Sequence, residues 1–374
     1  MLKYIYIDNY KSLVNVEFAT KAINLLLGAN GSGKSAVFEC VKGVRDFVCD
    51  RQRLMNLFPT TSLTRWQSIP YQKFEFEIEG YGGVYRYEMS VEHDELKERA
   101  RVDCERLFFD GKPLLRMETG EVYLYRDDFS EGPHYPVDQT LSAVGAVPPR
   151  NDNTKLTWFR EKLRRFVVVQ IVPPMMHEVS PQEAASPSAH LENYASWYRY
   201  ISQDQGVAFQ LTEELRQVLS GFDHFKFEPY GEKHRLLKVC FQTEGAETST
   251  EYSYNELSDG QKMLIALYSL LYAARMESEY GWYTLCIDEP GNFLALPEIQ
   301  PWIAELYDRC EEGLLQALII SHHPEFINYL LASLTGYWFE RPDGLSTRVK
   351  PIAPQDNAGL PVSELVARGW LMHE

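Results

Sequence analysis

One short stretch limits the folds open to this chain more than any other feature. Residues 28–35 read GANGSGKS and fit the pattern G-x-x-x-x-G-K-[ST]. An apolar run, Ala22–Leu27, precedes them, and a segment with helical character, Ser35–Phe47, follows. A strand that enters a glycine-rich turn and leaves it as a helix predicts a phosphate-binding loop in an α/β fold.

The composition of this loop suits a polyphosphate. Its glycines let the backbone form a concave nest whose N–H groups point at the anion, and the helix that follows adds its unpaired first-turn N–H groups. Lys34 would reach the β and γ phosphates, and Ser35 would bind Mg²⁺. The residues predicted to bind the polyphosphate here are Gly28, Ala29, Asn30, Gly31, Ser32, Gly33, Lys34, Ser35 and Ala36.

Bulk composition indicates a chain with a substantial core and no membrane partner. Of its 374 residues 45% are hydrophobic, yet no run of about eighteen apolar residues could span a bilayer. The N-terminus alternates like a strand and lacks the pattern of a signal peptide. The six cysteines form no C-x-x-C pair, so we expect free thiols. We therefore expect a cytoplasmic protein.

The acidic charge balance bears on nucleic acid as a partner. A net charge of −16 opposes broad, sequence-independent DNA binding, because DNA phosphates are also negative. The best candidate for a local basic patch is Arg160–Arg165, and a solvated helix face explains this segment about equally well. Nucleic acid stays open as a partner.

Apolar periodicity predicts the order of the other elements. Alternation from 73 to 91 predicts an antiparallel hairpin that turns at 80–83. Turn-forming residues dominate 127–155, and 167–172 predicts a buried strand bounded by prolines. Residues 191–219 have mainly helical character, interrupted near Gly206.

A second helix N-terminus could face a polyphosphate. Residues 255–262 read NELSDGQK and lead into a strongly apolar helix. Ser258 is a good helix N-cap, and Gly260 allows close approach at the first turn. If a γ-phosphate is bound by the loop on one side, such a helix N-terminus could bind it from the opposite side.

Two carboxylates follow an apolar strand near residue 287. Asp288 and Glu289 stand at the strand's C-terminal end, where ligands of open α/β sheets bind. Asp288 would belong to the Mg²⁺ shell, and Glu289 would orient and deprotonate the attacking water. A further apolar strand, Leu314–Ile320, ends in SHHP, and His322 could donate a hydrogen bond to the γ-phosphate.

Taken in this order, the four motifs resemble those of the ABC-type AAA-family ATPases of the SMC, RecF and OLD group. The likeness is to compact members without a long coiled coil. It extends over nearly the whole chain, through the N-terminal segment DNYKSL at 8–13, the antiparallel strands after the first helix and the tail PVSELVARGWL at 361–371.

The resemblance implies a role for each motif. It makes Gly28–Ser35 the Walker A loop, Leu257–Gln261 the signature, Asp288–Glu289 the Walker B pair and His322 the switch histidine, with His323 where serine is common. In that family the signature of one subunit completes the site of the other. Ser258, Gly260 and Gln261 would therefore bind ATP in trans, at the interface of a homodimer, with higher oligomers open.

Three features depart from the family pattern. The residues after Asp288-Glu289-Pro290 read GNFLALP, where L-H-P is common in the OLD branch. The long stretch between the Walker A loop and the signature contains no extended heptad array, so it should form a lid or a partner-binding lobe. The glutamine of the Q-loop is either Gln139 or Gln170.

We therefore predict an α/β chain: an ABC-ATPase-like P-loop fold with a mixed sheet, an antiparallel β subdomain and a small helical insertion. Residues 1–125 would be the N-terminal half of the ATPase core. Residues 126–225 would form a mainly helical insertion or lid with one buried strand. Residues 226–374 would be the C-terminal half, with the signature, Walker B and switch histidine.

The predicted function is ATP hydrolysis with Glu289, His322 and Lys34 as catalytic residues. It would control a partner such as a nuclease or toxin encoded nearby, or act on nucleic acid, in anti-phage defence or DNA repair. A non-hydrolysing nucleotide-dependent scaffold and the ATPase subunit of a transporter are the alternatives. The three acidic residues at 75, 77 and 79 share one face of a strand, where a solvated surface explains them better than an intrinsic nuclease does.

Overall fold

The computed structural model describes residues 1–242, 248–274, 283–322, 327–328, 335–352 and 364. The α-helices in these ranges are α1 (Lys34–Cys49), α2 (Leu54–Leu57), α3 (Ala143–Ala146), α4 (Thr154–Arg164), α5 (Tyr194–Ile201), α6 (Gln205–Val218), α7 (Asp259–Ala273) and α8 (Leu296–Glu311). None of them is long and apolar enough to cross a membrane.

The β-strands in the same ranges, in chain order, are β1 (Leu2–Asp8), β2 (Val16–Ala19), β3 (Ile23–Gly28), β4 (Tyr71–Gly80), β5 (Gly83–Asp94), β6 (Arg99–Phe109), β7 (Lys112–Glu118), β8 (Glu121–Tyr125), β9 (Glu131–Pro136), β10 (Phe166–Val169), β11 (Val179–Ser180), β12 (Phe222–Tyr230), β13 (His234–Phe241), β14 (Thr250–Ser253), β15 (Tyr283–Asp288), β16 (Leu315–Ile320), β17 (Thr335–Glu340) and β18 (Arg348–Ile352).

The described residues fall into two compact units. The first takes those within Met1–Val168, Glu279–Thr284 and Ser333–Gly359. The second takes those within Val169–Ser278, Leu285–Ala332 and Leu360–Glu374.

An antiparallel sheet of eight strands dominates the first unit, in the order β2-β1-β4-β5-β6-β7-β8-β9. The predicted hairpin is confirmed: β4 pairs with β5 along its whole length, from Tyr71 opposite Glu92 to Gly80 opposite Gly83. Alternate residues of β4 are fully buried, because strand side chains point to opposite faces in turn.

The other face of β4 carries ion pairs. Glu75 lies 2.9 Å from the Arg86 guanidinium, and Glu79 lies 2.6 Å from the Lys3 ammonium. Within the described ranges, no group of three His, Cys, Asp or Glu side chains could hold a metal ion. These contacts favour a solvated face over an intrinsic nuclease.

The strand before the predicted loop is buried in the first unit. All six residues of β3 are buried, and β17 pairs with it in parallel, with Phe339 opposite Gly28. Because β18 then pairs antiparallel with β17, this part of the sheet is mixed, as predicted. α1 is buried around most of its circumference, and Ser35 and Glu39 are its exposed positions.

The predicted basic patch at Arg160–Arg165 is wrong. Lys162 is 1% exposed, and burial together with nearby Arg165 lowers its pKa to about 7. Arg160 is also buried, and its Nη1 donates to the Val147 carbonyl at 2.6 Å. Arg164, on the surface, pairs with Glu161 at 3.3 Å. Two of the cations therefore lie in the interior, so the segment is not a simple solvated helix face either.

One buried helix organises the second unit. α7 buries every residue from Lys262 to Ala273, and α5, α6 and α8 pack against it. β12, β13 and β14 form an antiparallel sheet that β11 extends. β15 and β16 are neighbouring strands whose residues are buried except for Asp288 at the end of β15.

Several element boundaries differ from the prediction. The strand expected at 167–172 runs instead from Phe166 to Val169, and Pro173 begins a short turn of 3₁₀-helix. β9 lies inside the stretch where we expected only turns, since proline is tolerated in an edge strand. The predicted interruption near Gly206 is confirmed, because α5 ends at Ile201 and Asp204 caps the start of α6.

Candidate nucleotide site

Three glycines shape the turn between β3 and α1. Gly28, Gly31 and Gly33 have φ values of 143°, 75° and 103°, which residues with a Cβ rarely adopt. A Cβ on Gly28 would lie 2.1 Å from the Phe339 carbonyl oxygen, so β17 leaves no room for a side chain there. A Cβ on Gly31 would meet no described atom within 4 Å. The turn is therefore packed against β17 at Gly28 and open at Gly31.

Lys34 is buried at the start of α1, with 6% of its surface exposed. Its Nζ donates to the Gly28 carbonyl at 2.6 Å and the Ala29 carbonyl at 3.0 Å, and lies 3.5 Å from the Ser32 hydroxyl. The loop thus holds the ammonium group inside its own curve. A phosphate that entered the loop would compete with these carbonyls for the same three donor hydrogens.

The N-terminus of α1 fits an anion. Its N-cap, Gly33, has no side chain to cap the first-turn N–H groups, and the first turn contains no acidic residue. Such an N-terminus favours negative charge through its N–H groups and its dipole. Ala29, Asn30, Gly31 and Ser35 are exposed at this turn, whereas Ser32 and Ala36 are buried. These residues fit the triphosphate of ATP, and the Ser35 hydroxyl fits as a Mg²⁺ ligand.

Sequence reasoning missed the residues that brace the loop from outside. The buried Thr347 hydroxyl lies 2.8 Å from the Ser32 carbonyl and 2.9 Å from the Ser12 hydroxyl. Arg341 donates to the Gly31 carbonyl at 3.3 Å. The segment DNYKSL contains Ser12 and offered a signal. Thr347 and Arg341 lie 315 and 310 residues from their loop partners, so no local pattern could have identified them.

In the second unit, β15 ends in the two predicted carboxylates. Asp288 and Glu289 are half-buried after a fully buried apolar strand. Glu289 adopts a left-handed conformation, with φ of 53°, and its N–H donates to the Ile320 carbonyl at 2.8 Å. A residue other than glycine in this region carries strain of about 1 to 3 kcal/mol, and such strain is concentrated at functional sites.

The Glu289 carboxylate faces His322 at the end of the neighbouring strand. Its Oε2 accepts from the His322 backbone N–H at 3.3 Å, and its Oε1 lies 3.5 Å from the ring Nε2. The two side chains are 20% and 43% exposed, so both reach solvent. The structure therefore brings two predicted catalytic residues together. A carboxylate beside an imidazole can order a water molecule and accept its proton.

The N-terminus of α7 is capped by its own residues. The Ser258 hydroxyl accepts from the Gln261 N–H at 3.2 Å, and the Gln261 side chain accepts from the Ser258 N–H at 2.9 Å. Ser258 is exposed, as its predicted contact requires, but the Gln261 amide would have to leave this cap to contact a nucleotide. Asp259 in the first turn adds a negative charge that α1 lacks.

The signature segment is anchored within its own unit. A Cβ on Gly260 would lie 3.1 Å from the Phe293 carbonyl oxygen, so the glycine leaves room for the chain's own backbone, and close approach of a phosphate there stays a prediction. Tyr254, just before the signature, is fully buried and stacks on Tyr194 at 5.0 Å between ring centroids. Burial raises the pKa of the Tyr254 hydroxyl. The start of α7 is thus fixed both to the core and to the loop after Asp288 and Glu289.

The predicted site residues are divided between the two units. The first contains the loop residues 28–36, and the second contains the signature, the carboxylate pair and His322. A shared Mg²⁺ shell of Ser35 and Asp288 therefore stays a prediction. His323 lies outside the described residues, as do 361–363 and 365–371 of the tail.

The two Q-loop candidates lie in different settings. The Gln139 side chain donates to the Val102 carbonyl at 3.1 Å, beside the antiparallel sheet. Gln170 is exposed directly after β10. An exposed amide at the end of a strand suits a Q-loop better than one bound to a sheet carbonyl.

Comparison with known families supports an ATPase. Residues 187–328 match the family described as "AAA domain, putative AbiEii toxin, Type IV TA system". The match includes the signature, Asp288, Glu289 and His322, and it confirms the predicted resemblance to AAA-family ATPases. No curated protein matches the sequence.

Two solved structures of the SMC and RecF group are similar to this chain. The SMC head domain from Thermotoga maritima is 12% identical, with 94% of this chain and 99% of that one covered and a TM-score of 0.49. The recombination mediator protein RecF of the RecFOR pathway is 11% identical, with 94% and 98% covered and a TM-score of 0.47. At this similarity neither structure assigns a residue or an activity to the chain.

Proposed function

We propose that this chain binds ATP in its Gly28–Ala36 loop and hydrolyses it with Glu289 and His322. The N–H groups of the loop and of the first turn of α1 would hold the β and γ phosphates together with Lys34. Ser35 and Asp288 would hold Mg²⁺, which when bound neutralises charge on the phosphates.

Glu289 would act as the general base. In this role it accepts a proton from the water that attacks the γ-phosphate, while the His322 ring donates a hydrogen bond to a γ-phosphate oxygen. The observation that carries the proposal is the pair itself: Glu289 Oε2 accepts from the His322 N–H at 3.3 Å. A carboxylate oriented in advance loses little entropy when a water binds beside it. Gln170 is the residue we favour for the Q-loop.

We further propose that ATP joins two copies of the chain. Ser258 and Gly260 of one copy would face the γ-phosphate in the other, with higher oligomers also open. The exposed Ser258 at the start of α7 supports this role. With ATP and Mg²⁺, the Glu289→Gln variant should double in mass from the 43.3 kDa of the monomer, as measured by light scattering. Ser258→Arg should stay monomeric, because the longer arginine side chain would fill the space in which Ser258 is proposed to contact the γ-phosphate.

The partner is proposed to be an effector protein. The matched family's description names a toxin and a type IV toxin–antitoxin system, which is a statement about that family. For this chain, the description supports a role in controlling a nuclease or toxin encoded nearby. We propose that this control serves anti-phage defence or DNA repair and takes place in the cytoplasm. The net charge of −16 favours a protein effector over bulk DNA, although a specific nucleic-acid structure stays open as a partner.

The test is Mg²⁺-dependent phosphate release from ATP. Glu289→Gln should lower the rate at least about a hundredfold, because general base catalysis typically contributes 10²–10⁴. It should leave ATP binding intact, because the phosphate loop is unchanged. The matched control is Glu312→Gln, the same substitution at an exposed position after α8, which should keep the wild-type rate.

A non-hydrolysing scaffold is the other candidate, and the same assay separates it. Such a protein would bind ATP and change its assembly without releasing phosphate, whether Glu289 is present or not. A wild-type chain that binds ATP but shows no Mg²⁺-dependent release therefore contradicts the ATPase. Loss of binding in Lys34→Ala would then still support the loop as the nucleotide site.

A further inference from the structure

A tryptophan and an arginine stand beside the phosphate loop with no role in the chemistry so far. The Arg341 guanidinium donates to the Gly31 carbonyl at 3.3 Å and lies 5.5 Å from the centre of the Trp66 ring. The Arg341 side chain therefore contacts both Trp66 and Gly31, the residue at which the loop is open. All three residues belong to the first unit.

Trp66 lies in a turn, and one buried side chain forms hydrogen bonds with the backbone before and after it. Asn9, which is fully buried, accepts from the Thr64 N–H at 3.2 Å and donates to the Ile69 carbonyl at 2.7 Å. A further hydrogen bond closes the turn, from the Gln67 N–H to the Thr64 carbonyl at 3.2 Å. The backbone on either side of Trp66 is thus fixed by the protein interior.

The Trp66 ring nevertheless remains accessible, with 39% of the residue exposed. A large aromatic ring buries much apolar area when a ligand covers it, so the accessible part of this ring offers contact area beside the loop. The Arg341 guanidinium lies over the ring in a cation–π contact. The exposed part of the Trp66 ring is a flat apolar surface, and the hydrogen bonds of Asn9 hold the backbone that carries it.

Arg341 connects this surface to the loop. Besides the Gly31 carbonyl, its guanidinium donates to the carbonyls of Gly344 and Leu345 in the turn between β17 and β18. These carbonyl contacts hold the guanidinium between the loop and the Trp66 ring.

We propose that Trp66 is the base-stacking residue of the nucleotide site and that Arg341 positions it. A purine whose triphosphate occupies the Gly28–Ala36 loop would lie with one face on the exposed part of the Trp66 ring. Stacking depends on the π-face and not on hydrogen-bond pattern, so it selects for the large purine ring. This inference rests on the proposed binding of ATP in that loop.

The experiment compares ATP with inorganic tripolyphosphate by calorimetry in the presence of Mg²⁺. Trp66→Ala should weaken ATP binding about tenfold, within the range measured for base stacking on aromatic side chains, and leave tripolyphosphate binding unchanged. Lys34→Ala should weaken both ligands, because it acts on the phosphates. Tyr123→Ala, which removes an aromatic ring 44% exposed on β8 of the same unit, is the matched control and should change neither.

Tryptophan fluorescence tests whether Arg341 positions Trp66. ATP, but not tripolyphosphate, should quench part of the tryptophan fluorescence of the wild-type chain. That part should be missing in Trp66→Phe, which keeps an aromatic ring that can stack. Arg341→Gln should reduce the quench by ATP while tripolyphosphate still binds, an effect that a merely structural role would not produce.

Each outcome decides a different claim. Wild-type ATP affinity in Trp66→Ala, with Lys34→Ala impaired, overturns the stacking role and leaves the proposed ATP site intact. Equal weakening of ATP and tripolyphosphate in Trp66→Ala also overturns it, because the effect would then not depend on a base. A wild-type chain that binds neither ligand overturns the proposed function and this inference with it.

Discussion

The bond from Thr347 to the phosphate loop makes a testable link between the C-terminal hairpin and nucleotide affinity. Thr347 is 3% exposed, and its hydroxyl lies 2.8 Å from the Ser32 carbonyl and 2.9 Å from the Ser12 hydroxyl. A hydroxyl has one hydrogen, so Thr347 donates to the carbonyl and accepts from Ser12. Thr347→Val keeps the shape of the side chain and removes both interactions.

The expected cost follows from those two groups. The Ser32 carbonyl and the Ser12 hydroxyl would each lose a partner in the interior. A buried polar group left unpaired costs about 1 to 3 kcal/mol, so we expect a loss of about 2 kcal/mol in the free energy of unfolding after partial relaxation. A Cβ built on Gly33 would lie 2.5 Å from the Thr347 hydroxyl oxygen, which leaves little space for a water to replace it.

Urea unfolding measures this loss, and calorimetry measures the affinity for ATP. Affinity should fall in Thr347→Val, because a loop held by fewer bonds must be ordered when the nucleotide binds. Thr347→Ser is the control. It keeps the hydroxyl and loses one methyl group, for about 1 kcal/mol of stability and no loss of affinity. If the valine variant matched the wild type in both measurements, the bond would not support the loop.

Two further predictions concern the same unit. Gly28→Ala should lower the free energy of unfolding by about 3 kcal/mol in urea, because its Cβ would meet the Phe339 carbonyl at 2.1 Å. Gly31→Ala, which has a positive φ but open space, should lose only about 1 kcal/mol, and equal losses in both variants would contradict the steric account. Burial lowers the pKa of His93 from 6.5 to about 4, so the unfolded chain binds a proton between these values that the folded chain does not. Stability should therefore fall by about 2 kcal/mol from pH 7 to pH 5, and a His93→Gln variant with the same dependence would rule out His93 as its source.

Sequence reasoning succeeded where a feature depends on neighbouring residues. The glycines of the loop, the helix that follows the loop and the Ser258 cap of α7 all follow from local backbone conformation and capping. It failed at the Arg160–Arg165 segment, because burial of a cation depends on what packs against the helix. It also missed β9, whose prolines are tolerated only because the strand lies at a sheet edge.

The amino-acid order by itself determined the motifs and the elements that carry them, since pattern, glycine position and capping act over a few residues of chain. Only the tertiary structure decided that Thr347 and Arg341 reach the loop, and that His322 meets Glu289. Those contacts join residues 315, 310 and 33 positions apart. Their geometry depends on how strands pair and pack, which no local pattern specifies.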